Sequence, residues 1–525
     1  MNLYKNKIFK KCVVLSACLF IKMGFAEAAL KVMNPGECYG QLVYLSEEDV
    51  LKETPKYKAL SPLSIPVFAE LPLDMSVVAG AITLKQQNLV SHIQLKSRAR
   101  HTPNLDISEL EGGLKNPLFN SYPDGTWVHM VLVSDTQVKL EPATEAQALA
   151  AYDKKKTAVI KLNADVTTST IFRTEDLSSA DYIRVGSKAA NYAELAKVLN
   201  SATRNVVRPG FGIPFYYYDE YIRTNPKIKA AIDSILKDPL MNKVAKVSYR
   251  ETKLKNLQNL MLSEDTVIND QLLNDLISRF DQFRDSKGLP RKLKLRSSTN
   301  SEDLPNFNGA GLYTSDSYKP VKNGIEKTQE EKKQTLKKTL RVVWSSIWNL
   351  RAFDERAFFQ IPHGDVKMGM QVNLAFSDQG AEGVVVTKNI ANDPRFPGNA
   401  VYVETQRGNK YSVTNPTAGV KPQKILVFFN EQNPVDVQAY KIVILQNSNV
   451  ADDFESLLPT DNPIPVLSNE EIKDLVYQSL KAHVHFGPVL DPGNKNFSLD
   501  IEFKVDTFDT GSRQIYMKQT RPYLD

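Results

Sequence analysis

Two segments at the end of the chain carry residue types that suit phosphate chemistry. In "LDIEFKV" Asp500 and Glu502 lie two residues apart, and in "MKQTRPYLD" Gln519 and Arg521 have the same spacing. Side chains two apart on a strand share one face, so paired strands would place oxygen ligands for Mg²⁺ beside an arginine suited to phosphate. We assign Asp500, Glu502 and Gln519 to a metal site on an exposed strand face. A D-x-E pair on its own usually lies on a solvated strand face. Here the partner strand carries Arg521, which suits phosphate, and this favours the metal site.

A polar loop, "RSSTNSEDLPNFNGAG" at residues 296–311, follows a predicted strand. Such a loop exposes backbone N–H groups and hydroxyls to an anion, and its glycines let the backbone approach closely. The guanidinium of Arg296 is a planar fork that suits phosphate oxygens. We assign Arg296, Ser297 and Ser298 to phosphate binding, with a polar surface turn as the alternative.

His92 follows an apolar run in "VSHIQLKSR" and is one of only six histidines. A neutral imidazole is a nucleophile near pH 7 and can hold a phosphoryl group between two reactions. These nine residues alone are also compatible with the alternative that His92 is a half-buried histidine with no chemical role. The other histidines are assigned no chemistry: His101, His129, His363, His483 and His485.

Composition places the chain among soluble globular proteins, with 42% hydrophobic and 24% charged residues. Its 525 residues are too many for one core, so two or three domains are expected. Five lysines in the first 22 residues account for most of the +6 charge, leaving +1 for the remainder. We infer neither nucleic acid nor an anionic membrane as a partner. The oligomeric state is left open.

The N-terminus has the pattern of a secretory signal peptide at residues 1–26, with cleavage expected after Ala26 or Ala28. A basic segment precedes the ten-residue apolar run "CVVLSACLFI", which is too short to span a bilayer. No later stretch is long and apolar enough for a transmembrane helix. We therefore expect an exported, periplasmic or secreted protein. A lipid anchor at Cys18 and a cytoplasmic protein remain as alternatives.

Hydrophobic periodicity along the chain predicts a mixed α/β and α+β multidomain protein. Residues 31–141 show short alternating runs such as "GQLVYL", "SVVAGAITL" and "GTWVHMVLV", which predict strands. The segment "ATEAQALAAYDKKK" predicts a helix, and residues 142–181 read as helix and linker with few large apolar anchors. From residue 182 onward, predicted helices such as "KAANYAELAKVLNS", "KIKAAIDSILKD" and "TLKKTLRVVWSSIWNLRAFDERAFF" alternate with strands.

Six motifs then stand in the order found in a known nucleotide-binding domain: "RVGSKAANYAEL", "RPGFGIPF", "RSSTNSEDLPNFNGAGLY", "VVWSSIWNLRAFDER", "GVVVT" and "DIEF…QTRP". Residues 178–525 therefore resemble the PEP/pyruvate-binding, ATP-grasp-like domain of pyruvate phosphate dikinase, PEP synthase and the glucan water dikinases. The resemblance implies a two-lobed ATP-grasp-like fold at residues 182–525, with ATP and Mg²⁺ as ligands.

The resemblance also implies roles for individual residues. Lys188 resembles the family lysine that contacts nucleotide phosphates, and the backbone from Asn373 to residue 376 falls where the family binds adenine. Phosphate roles for Arg296 and Arg521 and metal roles for Asp500, Glu502 and Gln519 match the assignments made from the residues. One departure is "GNKY", where Tyr411 replaces the glutamate of the family's G-L-G-E loop.

His92 also fits a family motif, S-H-x-x-x-x-[A/S]-R followed by a proline, which marks a swivelling phosphohistidine domain. Ser91, His92, Ser97, Arg98 and Pro103 match it. The resemblance implies a small swivelling β/α domain at residues 31–141, ordered as in the C-terminal part of glucan water dikinases. Arg98 would pair with the phosphoryl group.

The function implied is a water-dikinase-like phosphotransferase. His92 would receive the β-phosphoryl group of ATP, AMP and phosphate would leave, and an unknown small-molecule or glycan hydroxyl would be phosphorylated. Export separates the protein from cytoplasmic ATP, and Tyr411 alters one contact. The alternative is therefore a catalytically inactive, exported nucleotide-binding or interaction protein.

Overall fold

The computed structural model describes residues 29–523 except 73–74, 156–157, 303, 305–306, 308, 310, 415–416, 418, 460–463 and 508, and of His92 it describes the backbone alone. The predicted signal peptide, its cleavage sites and Cys18 lie outside the described residues. Within the described ranges, no helix has the length and apolar character needed to cross a bilayer. The mixed α/β multidomain class with several sheets is confirmed.

The N-terminal domain is built on one seven-stranded sheet. Its strands are β1 (Ala29–Asn34), β2 (Gly36–Leu45), β3 (Ser64–Phe68), β4 (Ala81–Thr83), β5 (Asn104–Glu109), β6 (Trp127–Ser134) and β7 (Gln137–Pro142). They lie in the order β1-β5-β4-β3-β2-β6-β7, with β2 to β5 parallel. Its helices are α1 (Glu47–Leu51), α2 (Pro55–Lys58), α3 (His92–Ala99) and α4 (Pro117–Asn120).

Helix α3, which begins at His92, is fixed to this sheet by buried polar groups. The Ser91 hydroxyl accepts a hydrogen bond from the Gln94 backbone N–H and so caps the helix. The Gln94 side chain donates to Met33 O at 2.6 Å and accepts from Asn104 Nδ2 at 3.0 Å. Because these groups are buried and satisfied, they hold α3 in one orientation on the sheet.

The segment after the sheet contacts the body at a few apolar side chains. Helix α5 (Glu145–Lys154) contacts β2. The Tyr152 ring lies 6.3 Å from that of Phe358, and the half-buried Tyr152, Ile160 and Leu162 pack on the C-terminal core. The Ile160 N–H donates to Gln360 O at 3.2 Å. Of the described residues between 142 and 170, only Ala148 is buried, so the interpretation of residues 142–181 as helix and linker stays a prediction.

The C-terminal body contains two large sheets and a small one. The first is ordered β11-β10-β14-β9-β8 and the second β18-β17-β16-β15-β19-β20, which is antiparallel throughout. The strands are β8 (Phe172–Arg173), β9 (Gly210–Ile213), β10 (Leu293–Thr299), β11 (Asp316–Tyr318), β12 (Val321–Lys322), β13 (Ile325–Glu326), β14 (Met368–Leu374), β15 (Gln379–Val386), β16 (Ala400–Arg407), β17 (Gln423–Phe428), β18 (Lys441–Gln446), β19 (Leu499–Asp506) and β20 (Gln514–Pro522).

Helices cover these sheets and bury their apolar faces in two cores. They are α6 (Tyr182–Val185), α7 (Ser187–Leu199), α8 (Tyr216–Thr224), α9 (Pro226–Lys237), α10 (Val247–Leu262), α11 (Asp270–Phe280), α12 (Gln329–Ser345), α13 (Leu350–Phe358) and α14 (Asn469–Leu490). One face of the six-stranded sheet packs on α7 and α14. That arrangement leaves its other face for the N-terminal domain and the candidate site.

Most elements predicted from periodicity are present, including α5, α7, α9 and the strands at both ends of the body. The predicted long helix after residue 335 divides into α12 and α13. There the Ser346 hydroxyl donates to Val343 O at 2.6 Å, and Asn349 is extended with ψ 139°. A hydroxyl that bonds a preceding carbonyl competes with the helical ladder. The run "SVVAGAITL" forms a strand only at β4.

A buried ion pair holds the N-terminal domain on the body. Arg100, which caps the C-terminal end of α3, donates from Nε to Glu355 Oε1 of α13 at 2.8 Å, and both side chains are 1% exposed. Its other donors reach the carbonyls of Met75 and Ser76, in the segment that precedes β4. The two domains therefore share a satisfied charge cluster rather than a wet surface contact.

Replacing Arg100 by methionine is expected to lower the free energy of unfolding by about 3–5 kcal/mol, because the Glu355 carboxylate stays buried without its partner. Urea denaturation of the full chain measures the loss. The control is Lys52→Met, whose partner Glu48 is 68% exposed; about 0.5 kcal/mol or less is expected there. Equal effects of the two variants would contradict a buried interdomain pair.

Candidate functional site

A cavity of about 200 Å³ lies between the five-stranded and the six-stranded sheet. The residues lining it come from α7, β10 with the loop that follows, β19 and β20. Four cations and two carboxylates are among its described lining residues: Lys188, Arg296, Lys518, Arg521, Glu302 and Glu502. An excess of positive charge in a concave site favours a polyanionic ligand.

Lys188 reaches the cavity because helix α7 begins close against β10. Gly186 has φ 87°, and a Cβ there would lie 2.5 Å from the backbone of Ser298, so only glycine fits. The Ser298 hydroxyl accepts from the Ala189 N–H at 3.0 Å. Lys188 Nζ then donates to Ser297 O at 3.0 Å and to Glu302 Oε1 at 2.8 Å. Ser298 thus positions the helix that carries Lys188 and does not itself line the cavity.

Arg296 is the cation that β10 contributes. Its Nε donates to Asn373 Oδ1 on the neighbouring strand β14 at 3.2 Å. Burial lowers the pKa of the guanidinium, while the nearby Glu502 carboxylate acts in the opposite direction. Asn373 is 1% exposed and orients Arg296 from behind. Like Ser298, Asn373 supports a predicted phosphate contact and does not line the cavity.

Strands β19 and β20 pair as predicted. Asp500 is opposite Arg521 and Glu502 is opposite Gln519, so all four side chains lie on one face. Asp500 Oδ2 accepts from Arg521 Nε at 2.9 Å and from Nη2 at 2.7 Å. Asp500 is 3% exposed, so the expectation of an exposed strand face is wrong for this residue. Asp500 stands behind Arg521, whereas Glu502, Gln519 and Arg521 line the cavity.

Two charged lining residues were missed from sequence, Glu302 and Lys518. Glu302 stands inside the loop "RSSTNSEDLPNFNGAG", where a carboxylate did not fit the anion-binding interpretation. Lys518 Nζ bonds Glu502 Oε2. Burial alone would raise the pKa of Glu502, but the charges of Lys518 and Arg521 outweigh it and hold that pKa well below its ordinary value.

The donor set partly fits the predicted magnesium ion. In the described part of the chain, no three His, Cys, Asp or Glu residues form a metal-binding group. Glu502 and Gln519 are opposite each other and line the cavity together. One carboxylate and one amide suit an ion that keeps water and phosphate oxygens among its ligands. Asp500 Oδ2 is bound to Arg521, whereas its buried Oδ1 has no hydrogen-bond partner, so Asp500 keeps one oxygen for a ligand.

The loop that departs from the family pattern turns away from the cavity. The Tyr411 hydroxyl donates to Glu455 O at 2.9 Å, and Lys410 Nζ lies 5.3 Å from the centre of the Tyr411 ring. Thr414, three residues further on, lines the cavity. The side chain in the place of the family glutamate therefore contributes no group to the site.

Helix α3 lies on the same sheet face as the cavity. Val90 and Leu95 share a buried cluster with Val384, Val386 and Tyr402 of β15 and β16. Val384 is opposite Glu502 in the sheet, and Val386 is opposite Asp500. Directly opposed residues point to the same face. The face thus has an apolar half beneath α3 and a charged half at the cavity.

His92 is the first residue of α3, and its side chain lies outside what the structure describes. Arg98 is near the end of the same helix, and its guanidinium carbon lies 5.4 Å from the centre of the Tyr523 ring. Tyr523 follows Arg521 by two residues. The predicted carrier helix is therefore docked beside the strand that supplies Arg521, although Arg98 does not line the cavity.

Three other histidines have structural partners. His483 Nδ1 lies 2.8 Å from Thr387 Oγ1, and burial lowers the pKa of His483. His485 Nε2 lies 2.7 Å from Glu194 Oε1. The His363 ring stacks on an aromatic ring of α13 at 3.6 Å between centroids. These contacts fix helices and loops, in agreement with the absence of a chemical assignment.

The family model described as the pyruvate phosphate dikinase AMP/ATP-binding domain matches residues 183–524. That range contains every described residue that lines the cavity, from Lys188 to Arg521. It leaves the N-terminal domain with His92 outside the match. No curated protein is significantly similar to the chain.

Asp500→Asn is expected to lower both stability and nucleotide affinity, because Arg521 loses the charge that holds it. Loss of a charge-assisted buried bond costs about 2 kcal/mol. Chemical denaturation measures the first effect and calorimetric titration with ATP the second. Glu502→Gln serves as the comparison, because Glu502 is half-buried and should cost less stability. A stability equal to wild type would contradict the buried position of Asp500.

Lys294 is expected to contribute a stability that rises with pH between about 8 and 10. Burial, followed by the charge of Arg296, lowers the pKa of Lys294 from 10.5 to about 8. Over this range the unfolded chain keeps a proton that the folded chain has lost, so the free energy of unfolding increases with pH. Denaturation at several pH values should show a smaller increase in Lys294→Met. An identical slope in variant and wild type would contradict the lowered pKa.

Proposed function

We propose that His92 carries a phosphoryl group from ATP to an acceptor hydroxyl. The proposal starts from the family, because the chain belongs to the PEP-utilising dikinase family through the AMP/ATP-binding domain at residues 183–524. Family membership makes the chain an ATP-binding member of a dikinase and phosphotransferase family. Beyond family membership, we propose His92 as the phosphoryl carrier, a water-dikinase-like reaction and a hydroxyl acceptor.

One observation carries the proposal. The helix that begins at His92 packs on the face of the six-stranded sheet that also supplies Glu502, Gln519 and Arg521. Both the carrier helix and the phosphate-binding strand end at the same corner, where Arg98 lies over Tyr523. A phosphohistidine needs this proximity to its donor, because transfer requires reacting atoms about 3–3.5 Å apart.

The reaction has three balanced steps. An imidazole nitrogen of His92 attacks the β-phosphorus of ATP, and the bond from that phosphorus to the oxygen of AMP breaks. Water then attacks the γ-phosphorus, the β–γ anhydride bond breaks, and inorganic phosphate leaves while the β-phosphoryl group stays on His92. An acceptor hydroxyl then attacks the phosphohistidine, loses its proton and leaves free His92. The intermediate divides one difficult transfer into two easier ones.

The cavity residues orient and neutralise the polyphosphate. Lys188, Arg296 and Arg521 converge on the cavity and are held by Glu302, Asn373 and Asp500 respectively. Preorganised cations stabilise charge that develops during phosphoryl transfer without reorganising at that moment. Gln519, and Glu502 when Lys518 releases it, would hold a magnesium ion that supplies further neutralisation of phosphate charge.

Delivery to an acceptor requires the N-terminal domain to leave this docked position, as a swivelling domain would. Helix α5 contacts β2, but its Tyr152 also packs on Phe358 of the body, and Ile160 is bound to Gln360. We therefore propose residues 142–181 as hinge and linker, and these contacts with the body would have to open during the movement. The Arg100–Glu355 pair would open and re-form with each cycle.

The acceptor remains an unspecified small-molecule or glycan hydroxyl, and we retain export by the predicted signal peptide as part of the proposal. An exported enzyme would need a compartment that supplies ATP. A second function is favoured by Tyr411 turning away and by Lys518 bound to Glu502. Under it, the chain binds nucleotide without turnover.

Incubation of the full chain with β-labelled ATP is expected to give acid-labile label on the protein, because phosphohistidine is acid-labile. His92→Ala should carry no label. His129→Ala is the matched control, since His129 lies on β6 of the same domain and stacks on Tyr39 away from the cavity; its label should equal that of wild type.

Two outcomes decide between the functions. Undiminished label on His92→Ala would disprove the carrier role. ATP binding by calorimetry with no AMP formed, for any acceptor or metal supplied, would favour the non-catalytic nucleotide-binding protein.

A further inference from the structure

Lys518 enters the cavity because of an irregularity in strand pairing. Glu502 is opposite Gln519, but the next residue, Phe503, is opposite Met517, so Lys518 has no partner across the ladder. In a regular strand Lys518 and Gln519 would face opposite sides of the sheet. An extra residue in one strand re-aims a side chain, and here Lys518 and Gln519 both line the cavity.

The ammonium of Lys518 bonds Glu502 Oε2, and the two side chains are 20% and 18% exposed. Glu302, the other lining carboxylate among the described residues, is paired in the same way with Lys188 at 2.8 Å. An ammonium bound to one carboxylate oxygen offsets the negative charge that would attract a divalent cation and competes with the cation for that oxygen. Lysine therefore stands at Glu502 where a metal ion would otherwise bind.

The Lys518–Glu502 pair is also placed so that Lys518 can exchange Glu502 for a phosphate group. A lysine ammonium has three donors on a flexible stem and behaves as a compact point charge. Gln519 beside it is an uncharged oxygen ligand, and Arg521 and Arg296 already supply guanidinium groups for phosphate. A polyphosphate entering the cavity would meet Lys518 at once, without any metal ion to bridge it to Glu502.

We propose that the Lys518 ammonium is a built-in counter-ion of Glu502 that takes the place of a divalent cation, so that the cavity binds nucleoside polyphosphates free of metal. Lysine and metal compete for the Glu502 carboxylate, and a metal–nucleotide complex binds only when the pair opens. The inference rests on the nucleotide site of the proposed function and adds a residue that sets its metal requirement.

The test is calorimetric titration of the full chain with ATP, once with excess EDTA and once with Mg²⁺. Wild type should bind ATP in EDTA. Lys518→Met should bind ATP at least about tenfold more weakly, because one charge-assisted hydrogen bond usually contributes about that much to affinity. The affinity of this variant for ATP should also depend more strongly on Mg²⁺. Lys518→Arg keeps the charge and should retain binding in EDTA. Lys495→Met, on an exposed loop, should match wild type.

A second readout follows the metal itself. Mn²⁺ titrated without nucleotide and detected by electron paramagnetic resonance should bind Lys518→Met more tightly than wild type, because Glu502 is released. Unchanged Mn²⁺ affinity, or unchanged binding of ATP in EDTA by Lys518→Met, would overturn the proposal. If wild type binds no ATP in either buffer, the proposed nucleotide function fails, while the Mn²⁺ titration still decides whether lysine and metal compete.

Discussion

The pairing of β19 with β20 is the constraint on which the candidate site depends. It sets Asp500 opposite Arg521 and Glu502 opposite Gln519, so charged groups that are nineteen or more residues apart in the chain act together. A slip of one residue would send every one of these side chains to the opposite face, into the apolar core against α7 and α14. Burial of Val385, Ile501 and Phe503 on that face therefore enforces the register that builds the cavity.

Each cation of the cavity has a partner before any ligand enters. Lys188 is held by Glu302, Lys518 by Glu502 and Arg521 by Asp500, while Arg296 is oriented by an amide. Partly buried charges are costly unless paired, so these partners make the concentration of positive charge compatible with a folded protein. They also keep the side chains in defined positions, so that less conformational freedom is lost when a polyanion binds.

The same sheet face joins the two domains. Its apolar half receives α3, and its charged half lines the cavity, so one surface connects α3 with the candidate site. At the C-terminal end of α3, Arg100 binds Glu355 of α13. The helix thus contacts the six-stranded sheet at one side and α13 at its end, which gives the docked position a specific orientation. A buried ion pair is a weak source of stability compared with apolar packing, and its best-supported use is to specify arrangement.

Sequence by itself determined the mixed α/β class, most helices and strands, and the alignment of Asp500, Glu502, Gln519 and Arg521 on one face. Period-2 and period-3.6 patterns are local properties, and the motif order identified the family. Only the tertiary structure decided that Asp500, Ser298 and Asn373 stand behind the cavity, because burial depends on which strands and helices become neighbours. It also decided that Tyr152, Ile160 and Leu162 contact the body and that Lys518 faces Glu502. A one-residue irregularity between distant strands reverses side-chain direction, and no local pattern in "YMKQTRP" records it.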